Sequence, residues 1–227
     1  MRTAKQLIKD SLLRLGYEVR RVTNEQRDDI PDCKGFTDKE AQCYRAIGNL
    51  GELSIEECRL LGELVAKSDP HRPIIEIGTL FGFSTIIIAA FKQHFQELIT
   101  VDNYSWNPLG ISPDAHYTIT QNRLSEAIDR HNVRVLRMDK DEFYRTYQGP
   151  PPAMFFCDAD HSYAATNADL LWARSVGASI ICGDDYNLPH EDGVRRAVDE
   201  MGGPSELVDG LFVLSTVTAA RRIPSLA

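Results

Sequence analysis

The sequence is short of the features that mark several protein classes. Its 227 residues hold five cysteines, Cys33, Cys43, Cys58, Cys157 and Cys182, an odd number with no CxxC pair. That spacing offers no paired thiolates for a structural zinc ion and no disulfide framework. The thiols are expected to be reduced, as in a cytoplasmic protein. No run of about 18 apolar residues occurs, so no transmembrane segment is expected. A signal peptide is not expected either, because Lys9, Asp10 and Arg14 interrupt what would be its apolar stretch. An excess of positive charge is missing as well. The formal net charge is -8, which disfavours nucleic acid as a partner, since phosphate-binding surfaces are usually basic. There is no internal repeat, no low-complexity tract and no GxGxxG dinucleotide fingerprint.

What is present is a hydrophobic content of 43%, enough to fill the core of one large α/β domain with an N-terminal appendage. Residues 2–15 place Leu7, Ile8, Leu12 and Leu15 on one helical face, and Gly16 follows as a stop. Through Val22 this segment carries six basic residues (Arg2, Lys5, Lys9, Arg14, Arg20 and Arg21) against Asp10 and Glu18. Such a helix either touches an anionic membrane surface or polyanionic carrier, or is a solvated amphipathic helix packed on the domain or on a second subunit. The second is the more ordinary outcome and leaves a homo-oligomer open. Residues 23–37, with Pro31 and Gly35, read as a linker or loop, and Thr37 or Asp38 is placed to cap a helix through about Leu50. Ser54 is the expected N-cap of a helix through about Lys67, with Glu56 and Glu57 in its first turn. The expected division is a helical extension or lid over 1–53 and one domain over 54–227.

From Pro73 onward strands alternate with helices. Strands are expected at 73–78, 97–102, 133–137, 153–158 and 178–183, and helices at 82–94, 116–131, 162–175 and 191–201. This pattern predicts a doubly wound, mostly parallel sheet. Asp209-Gly210 between Glu206-Leu207-Val208 and Leu211-Phe212-Val213-Leu214 predicts a closing antiparallel hairpin. The stretch Asn103–Ala115, with Trp106, two prolines and a glycine, follows the second strand and is placed to act as a lid.

The stretch Met154–Tyr186 carries the densest chemistry. An apolar run ends in Asp158-Ala159-Asp160-His161, a helix follows, and a second apolar run ends in Gly183-Asp184-Asp185-Tyr186. Strand, helix, strand is a parallel crossover, so both strands end on one sheet edge and Asp158, His161, Asp184 and Asp185 should converge. Such a group could hold a hard cation, supply a base, or both. Upstream, Ile74 to Thr85 reads as strand, turn and helix start. Gly78 permits close backbone approach, and Gly82 lets the helix begin near a bound carboxylate. Asp102 ends the second strand where an acid can accept ribose hydroxyls. Met138 and Asp139 end the third on the same edge.

EIGTLFGFST followed by ITVD resembles the first two motifs of class I S-adenosylmethionine-dependent methyltransferases. FFCDADHSY and ICGDDY resemble the metal-binding motifs of their cation-dependent O-methyltransferases, whose catechol and caffeoyl-CoA types read VDAD…YDN. The likeness is closer to the macrocin O-methyltransferase-like, family 24 group, where Asp-x-x-His, an Asp-Asp pair and a segment like GVRRAVDE recur. It covers about residues 54–215. The resemblance implies a Rossmann-like seven-stranded sheet whose last strand is antiparallel. It implies that Glu76, Gly78, Gly82 and Ser84 hold the methionine end of S-adenosylmethionine, Asp102 the ribose, and Met138 and Asp139 the adenine. It further implies that Asp158, beside the cofactor, joins Asp184 and Asp185 as ligands of Mg²⁺ or another divalent cation. His161 would then be the base. His190 is a weaker candidate, and His71, His94, His116 and His131 read as surface or core residues. Asp160 is either a helix N-cap or a support for the ligands.

The implied activity is Mg²⁺-dependent O-methylation of a sugar, glycan or natural-product small molecule. The alternatives are a metal-independent methyltransferase of the same fold and, from another class, a metal-dependent hydrolase. A hydrolase has no need of a nucleoside pocket, which Asp102 and the GxxxG turn suggest.

Overall fold

A computed structural model of the chain describes residues 53–190 and 192–215. The expected N-terminal helix, linker and second helix within residues 1–52 lie outside the described residues. The first described helix, α1 (Ile55–Lys67), begins at Ser54, whose side chain accepts a hydrogen bond from the Glu57 amide at 3.2 Å. The Glu57 carboxylate accepts in return from the Ser54 amide at 2.6 Å, so the sequence closes a capping box. One face of α1 buries Leu60, Leu61, Leu64 and Val65.

The elements that follow are β1 (Ile74–Ile77), α2 (Phe83–Phe91), β2 (Leu98–Asp102), α3 (Pro113–Arg123), α4 (Ser125–Arg130), β3 (Val133–Arg137) and α5 (Lys140–Thr146). Then come β4 (Met154–Cys157), α6 (Tyr163–Ser175), β5 (Ile180–Gly183), α7 (Gly193–Glu200), β6 (Pro204–Val208) and β7 (Leu211–Leu214). The seven strands lie in the order β3-β2-β1-β4-β5-β7-β6. Pairing is parallel from β3 to β5, and β7 runs antiparallel to both β5 and β6. The expected doubly wound sheet with a terminal hairpin is present.

Both sheet faces are covered, which is why β1 and β4 are buried at every position. Ile74, Leu98, Met154 and Phe156 pack with Leu61 and Val65 of α1 and Ile88 of α2. Ile75, Ile77, Phe155 and Cys157 pack on the other face with Leu170 of α6 and Val198 of α7. Each fully buried side chain of this size contributes about 1.5–3 kcal/mol. The thiols of Cys157 and Cys182 are buried and unbridged, as the sequence predicts. Among the described residues no helix is long and apolar enough to cross a membrane.

Several boundaries differ from expectation. The expected helix 116–131 is two helices that meet at Leu124, which is fully buried. The first starts earlier because Ser112 caps it, accepting from the Ala115 amide at 3.3 Å, with Pro113 in the first turn. Helix α2 stops at Phe91, not 94, and α5 was not expected at all. It is a short helix capped by Asp139, which accepts from the Asp141 amide at 2.9 Å. Strand β6 starts at Pro204, a position where a missing N–H costs no ladder bond.

Candidate active site

Winding reverses between β1 and β4, and the C-terminal ends of the strands on either side form the crevice where ligands bind in such sheets. On the β1 side the chain turns sharply. Gly78 has φ +96°, and a Cβ there would stand 1.6 Å from the carbonyl oxygen of Asp158. Only glycine allows that approach. Leu80 is also left-handed, at φ +46°. The turn is held by Asp102, whose Oδ2 accepts from the amides of Thr79 at 3.0 Å and Leu80 at 2.8 Å. From α3, Thr120 Oγ1 donates to the Leu80 carbonyl at 2.7 Å, and His116 Nε2 lies 2.9 Å from the same oxygen. Asp102 Oδ1 accepts from the Tyr104 amide at 2.7 Å, and Asp102 lines the cavity.

Two residues of this turn sit differently from the expectation. Glu76 is fully buried, does not line the cavity, and accepts from the hydroxyls of Ser84 and Thr85, each at 2.6 Å. Burial pushes its carboxyl up to about 6. Its place is to anchor the first turn of α2 to β1. Gly82, at φ +82°, faces Leu124, whose Cδ2 a Cβ would meet at 2.7 Å, and it does not line the cavity either. Gly78, Ser84, Asp102, Met138 and Asp139 do line it.

The acids converge as the crossover predicts. Cys157 of β4 pairs with Gly183 of β5, so the residues that follow each strand emerge side by side. His161 Nε2 lies 2.9 Å from Asp185 Oδ2 and 3.9 Å from Asp158 Oδ1. One ligand atom from each of Asp158, His161 and Asp185 falls within 4.8 Å of the others. Asp185 takes φ +67°, in the left-handed region that aspartate enters more readily than most non-glycine residues.

Asp184 lines the same cavity but stands outside this trio. Its Oδ1 lies on the side of Gly210 and Glu57. Glu57 is buried, and its Oε1 accepts from the amides of Gly210 at 2.6 Å and Leu211 at 3.2 Å. Burial, then the Glu57 charge, pushes the Asp184 carboxyl up to about 7. Burial, then the neighbouring charges of Asp184 and Asp185, raises the Asp158 carboxyl well above its ordinary range. Its side chain still keeps 29% exposure, all the crowding being at the cavity wall.

Asp160 is not the N-cap of α6. Ser162 is, accepting from the Ala165 amide at 3.4 Å, and Asp160 closes the turn before it by accepting from the Ser162 amide at 2.9 Å. His190 is exposed and does not line the cavity. His116 is a buried core residue.

The cavity measures about 870 Å³, room for a nucleoside cofactor and a small acceptor together. Among the described residues its lining carries seven carboxylates, those of Asp102, Asp139, Asp141, Asp158, Asp160, Asp184 and Asp185. The one ammonium in it among the described residues, Lys140, is held by buried Asp169 at 2.5 Å. Such a lining concentrates cations. Glu57 is the buried neighbour that sequence alone did not single out; it was visible only as one of two acids in the first turn of a helix.

A winding reversal of this kind, with a glycine turn after β1 and acids after β2, β4 and β5, is the architecture of class I methyltransferases. The family model described as a methyltransferase domain, Methyltransf_24, matches residues 75–186, from β1 through Tyr186. Residues 75–186 are thus a methyltransferase domain of this family, which argues against the hydrolase alternative. No curated protein matches the sequence significantly.

Solved structures share the fold at low identity. Cofactor-bound Rv0187 from MTB is 22% identical with a TM-score of 0.58, over 86% of this chain and 98% of its own. The O-methyltransferase from Bacillus cereus, in complex with SAH, is 22% identical with a TM-score of 0.54, over 78% and 88%. The O-methyltransferase TomG from Streptomyces achromogenes, involved in tomaymycin synthesis and in complex with SAM, is 18% identical with a TM-score of 0.53, over 93% and 96%.

Proposed function

We propose that the chain transfers the methyl group of S-adenosylmethionine to a hydroxyl of a sugar, glycan or natural-product small molecule, assisted by Mg²⁺ or another divalent cation. The observation that carries this is the grouping of Asp158, His161 and Asp185, which opens into the same cavity as the Gly78 turn. A cationic sulfonium suits a lining of seven carboxylates. Asp102, at the end of β2 and in the cavity lining, is the candidate for the ribose hydroxyls, and Met138 and Asp139 are the candidates for adenine. Hard carboxylate oxygens with one imidazole suit a divalent cation of the Mg²⁺ type, held by Asp158 and Asp185, with Asp184 as the third carboxylate. Those acids repel one another, and a cation among them would relieve that repulsion.

When bound, the cation would lower the pKa of an acceptor hydroxyl, which alone is a poor nucleophile near neutral pH. The chain supplies the rest. His161 Nε2 takes the hydroxyl proton, and the imidazolium that results faces Asp185 at 2.9 Å and Asp158 at 3.9 Å. The rigid strand ends hold acceptor and cofactor in line, which is where most of the rate arises. The catalytic domain begins at Ser54 in this proposal.

Calorimetry with S-adenosylmethionine and S-adenosylhomocysteine, with and without Mg²⁺, tests the assignment. Absence of cofactor binding at millimolar ligand would sink it. A second reading keeps the fold and drops the metal, since the His161–Asp185 pair already forms a base and its partner. Turnover untouched by EDTA and by Asp184→Ala would select that reading. His161→Ala should retain cofactor affinity and lose turnover in either case.

A further inference from the structure

We propose that α7 is a positioning clasp that fixes the spacing of the two acid-bearing turns by gripping Tyr163 and Tyr186. It rests on the cation site proposed above. Tyr163 follows His161 by two residues, and Tyr186 directly follows Asp185. Helix α7 is anchored in the core by Val194, Ala197 and Val198. Its exposed face carries two Arg/acid pairs at i,i+4 spacing, Arg195 with Asp199 and Arg196 with Glu200.

Each pair holds one tyrosine. The Arg196 guanidinium lies over the Tyr163 ring at 4.6 Å, and the Tyr163 hydroxyl donates to Glu200 at 2.5 Å. The Arg195 guanidinium lies over the Tyr186 ring at 5.6 Å, and the Tyr186 hydroxyl donates to Asp199 at 2.8 Å. Arg195 Nε also donates to the Tyr186 carbonyl at 3.3 Å. The helix starts hard against the first turn: a Cβ on Gly193 would stand 2.2 Å from the His161 carbonyl oxygen and 2.5 Å from the Tyr163 amide nitrogen. One rigid helix thus touches both turns with the same grip, repeated one residue out of phase.

The gripping side chains of α7 are exposed, and contacts of that kind add little to folding. What they can do is restrict where the turns sit. Loss of groups that support metal ligands typically lowers metal affinity by about ten- to a hundredfold. The resemblance already marks the segment Gly193–Glu200, and the grip gives that segment a physical task.

Full-length protein should be titrated with Mn²⁺ by electron paramagnetic resonance and with S-adenosylhomocysteine by calorimetry. The variants are Tyr163→Phe, Tyr186→Phe and the double variant R195Q/R196Q. Mn²⁺ affinity should fall roughly tenfold or more in the double variant, with S-adenosylhomocysteine affinity and the thermal midpoint unchanged. The Phe variants keep the rings and lose only the hydroxyl bonds, so they should show a smaller loss of the same kind even if the double variant misfolds. Unchanged Mn²⁺ affinity in all variants overturns the clasp alone. A parallel fall in both ligands also overturns it, as general damage. Wild-type protein that takes up no Mn²⁺ overturns the cation site, and the clasp with it.

Discussion

The backbone of Gly78 lies against that of Asp158 so closely that a Cβ on residue 78 would stand 1.6 Å from the Asp158 carbonyl oxygen. This is where the turn assigned to the cofactor meets the acids assigned to the cation. Parallel pairing of Ile77 with Cys157 brings the two strand ends level, and the absent side chain lets them touch. Gly78→Ala cannot relax by moving a side chain, since the obstacle is backbone and φ is +96°. It should destabilise the fold by about 3 kcal/mol or more. Any protein that remains folded should have lost S-adenosylhomocysteine binding. A urea midpoint and cofactor affinity equal to wild type would contradict this.

Glu57 ties α1 to the closing hairpin. Its carboxylate accepts from the amides of Ser54, Gly210 and Leu211. Glu57→Ala orphans buried donors and should cost about 3 kcal/mol in urea unfolding. Glu57→Gln keeps the acceptor oxygen that serves Gly210 and Leu211 and should cost much less. The Glu57 charge is also the second cause, after burial, of the raised Asp184 carboxyl. In the Gln variant the Asp184 carboxyl should therefore titrate lower than about 7, as carbon-13 NMR of that carboxylate can read. An unmoved titration would show that burial alone sets it.

The strands were legible because both faces of the sheet are covered, which turns β4 and β5 into apolar runs, and β1 into one broken only by Glu76, bounded by glycine, proline and aspartate. The meeting of Asp158 with the Asp184-Asp185 pair was legible from the crossover alone. What each acid faces was not. Asp184 and Asp185 are adjacent and identical in type, yet a left-handed φ at Asp185 brings its carboxylate to His161, while Asp184 lies toward Glu57, which is 127 positions earlier in the chain. The break at Leu124 was hidden for a similar reason. Leucine favours helix, and only its packing against Gly82 distinguishes this one. Glu76 and Gly82 match the cofactor motif, but their bonds and packing turn them inward, and a motif does not reveal that.

Trp106 is 68% exposed and lines the cavity from the loop after β2. The only other tryptophan, Trp172, stacks on Tyr144 at 4.3 Å, away from the cavity lining. In a Trp172→Phe protein, fluorescence therefore reports on Trp106 alone. S-adenosylhomocysteine should shift its emission to the blue as the ring loses water. Trp106→Ala should weaken cofactor or acceptor binding, read as a higher KM with little change in kcat. An emission spectrum indifferent to saturating ligand would place the loop outside the binding event.

Glu76 makes the stability of the fold depend on pH in a predictable sense. Its carboxyl moves from 4.5 to about 6 on folding, chiefly because burial disfavours the charge. A raised carboxyl favours the folded state while it is protonated. Its contribution is therefore fully present below pH 4.5 and lost as pH rises through about 6. The shift corresponds to about 2 kcal/mol. Glu76→Gln removes the titration and keeps the shape, and the Ser84 and Thr85 hydroxyls can rotate to accept from the amide or donate to it. The variant should therefore gain on wild type as pH rises, reaching about 2 kcal/mol in its favour by about pH 8 relative to the difference at about pH 4. Urea unfolding at both ends of that window and at its middle measures the gap. A gap that stays constant across the window, or that grows in favour of wild type at high pH, would mean that the two hydroxyls outweigh burial and hold Glu76 charged.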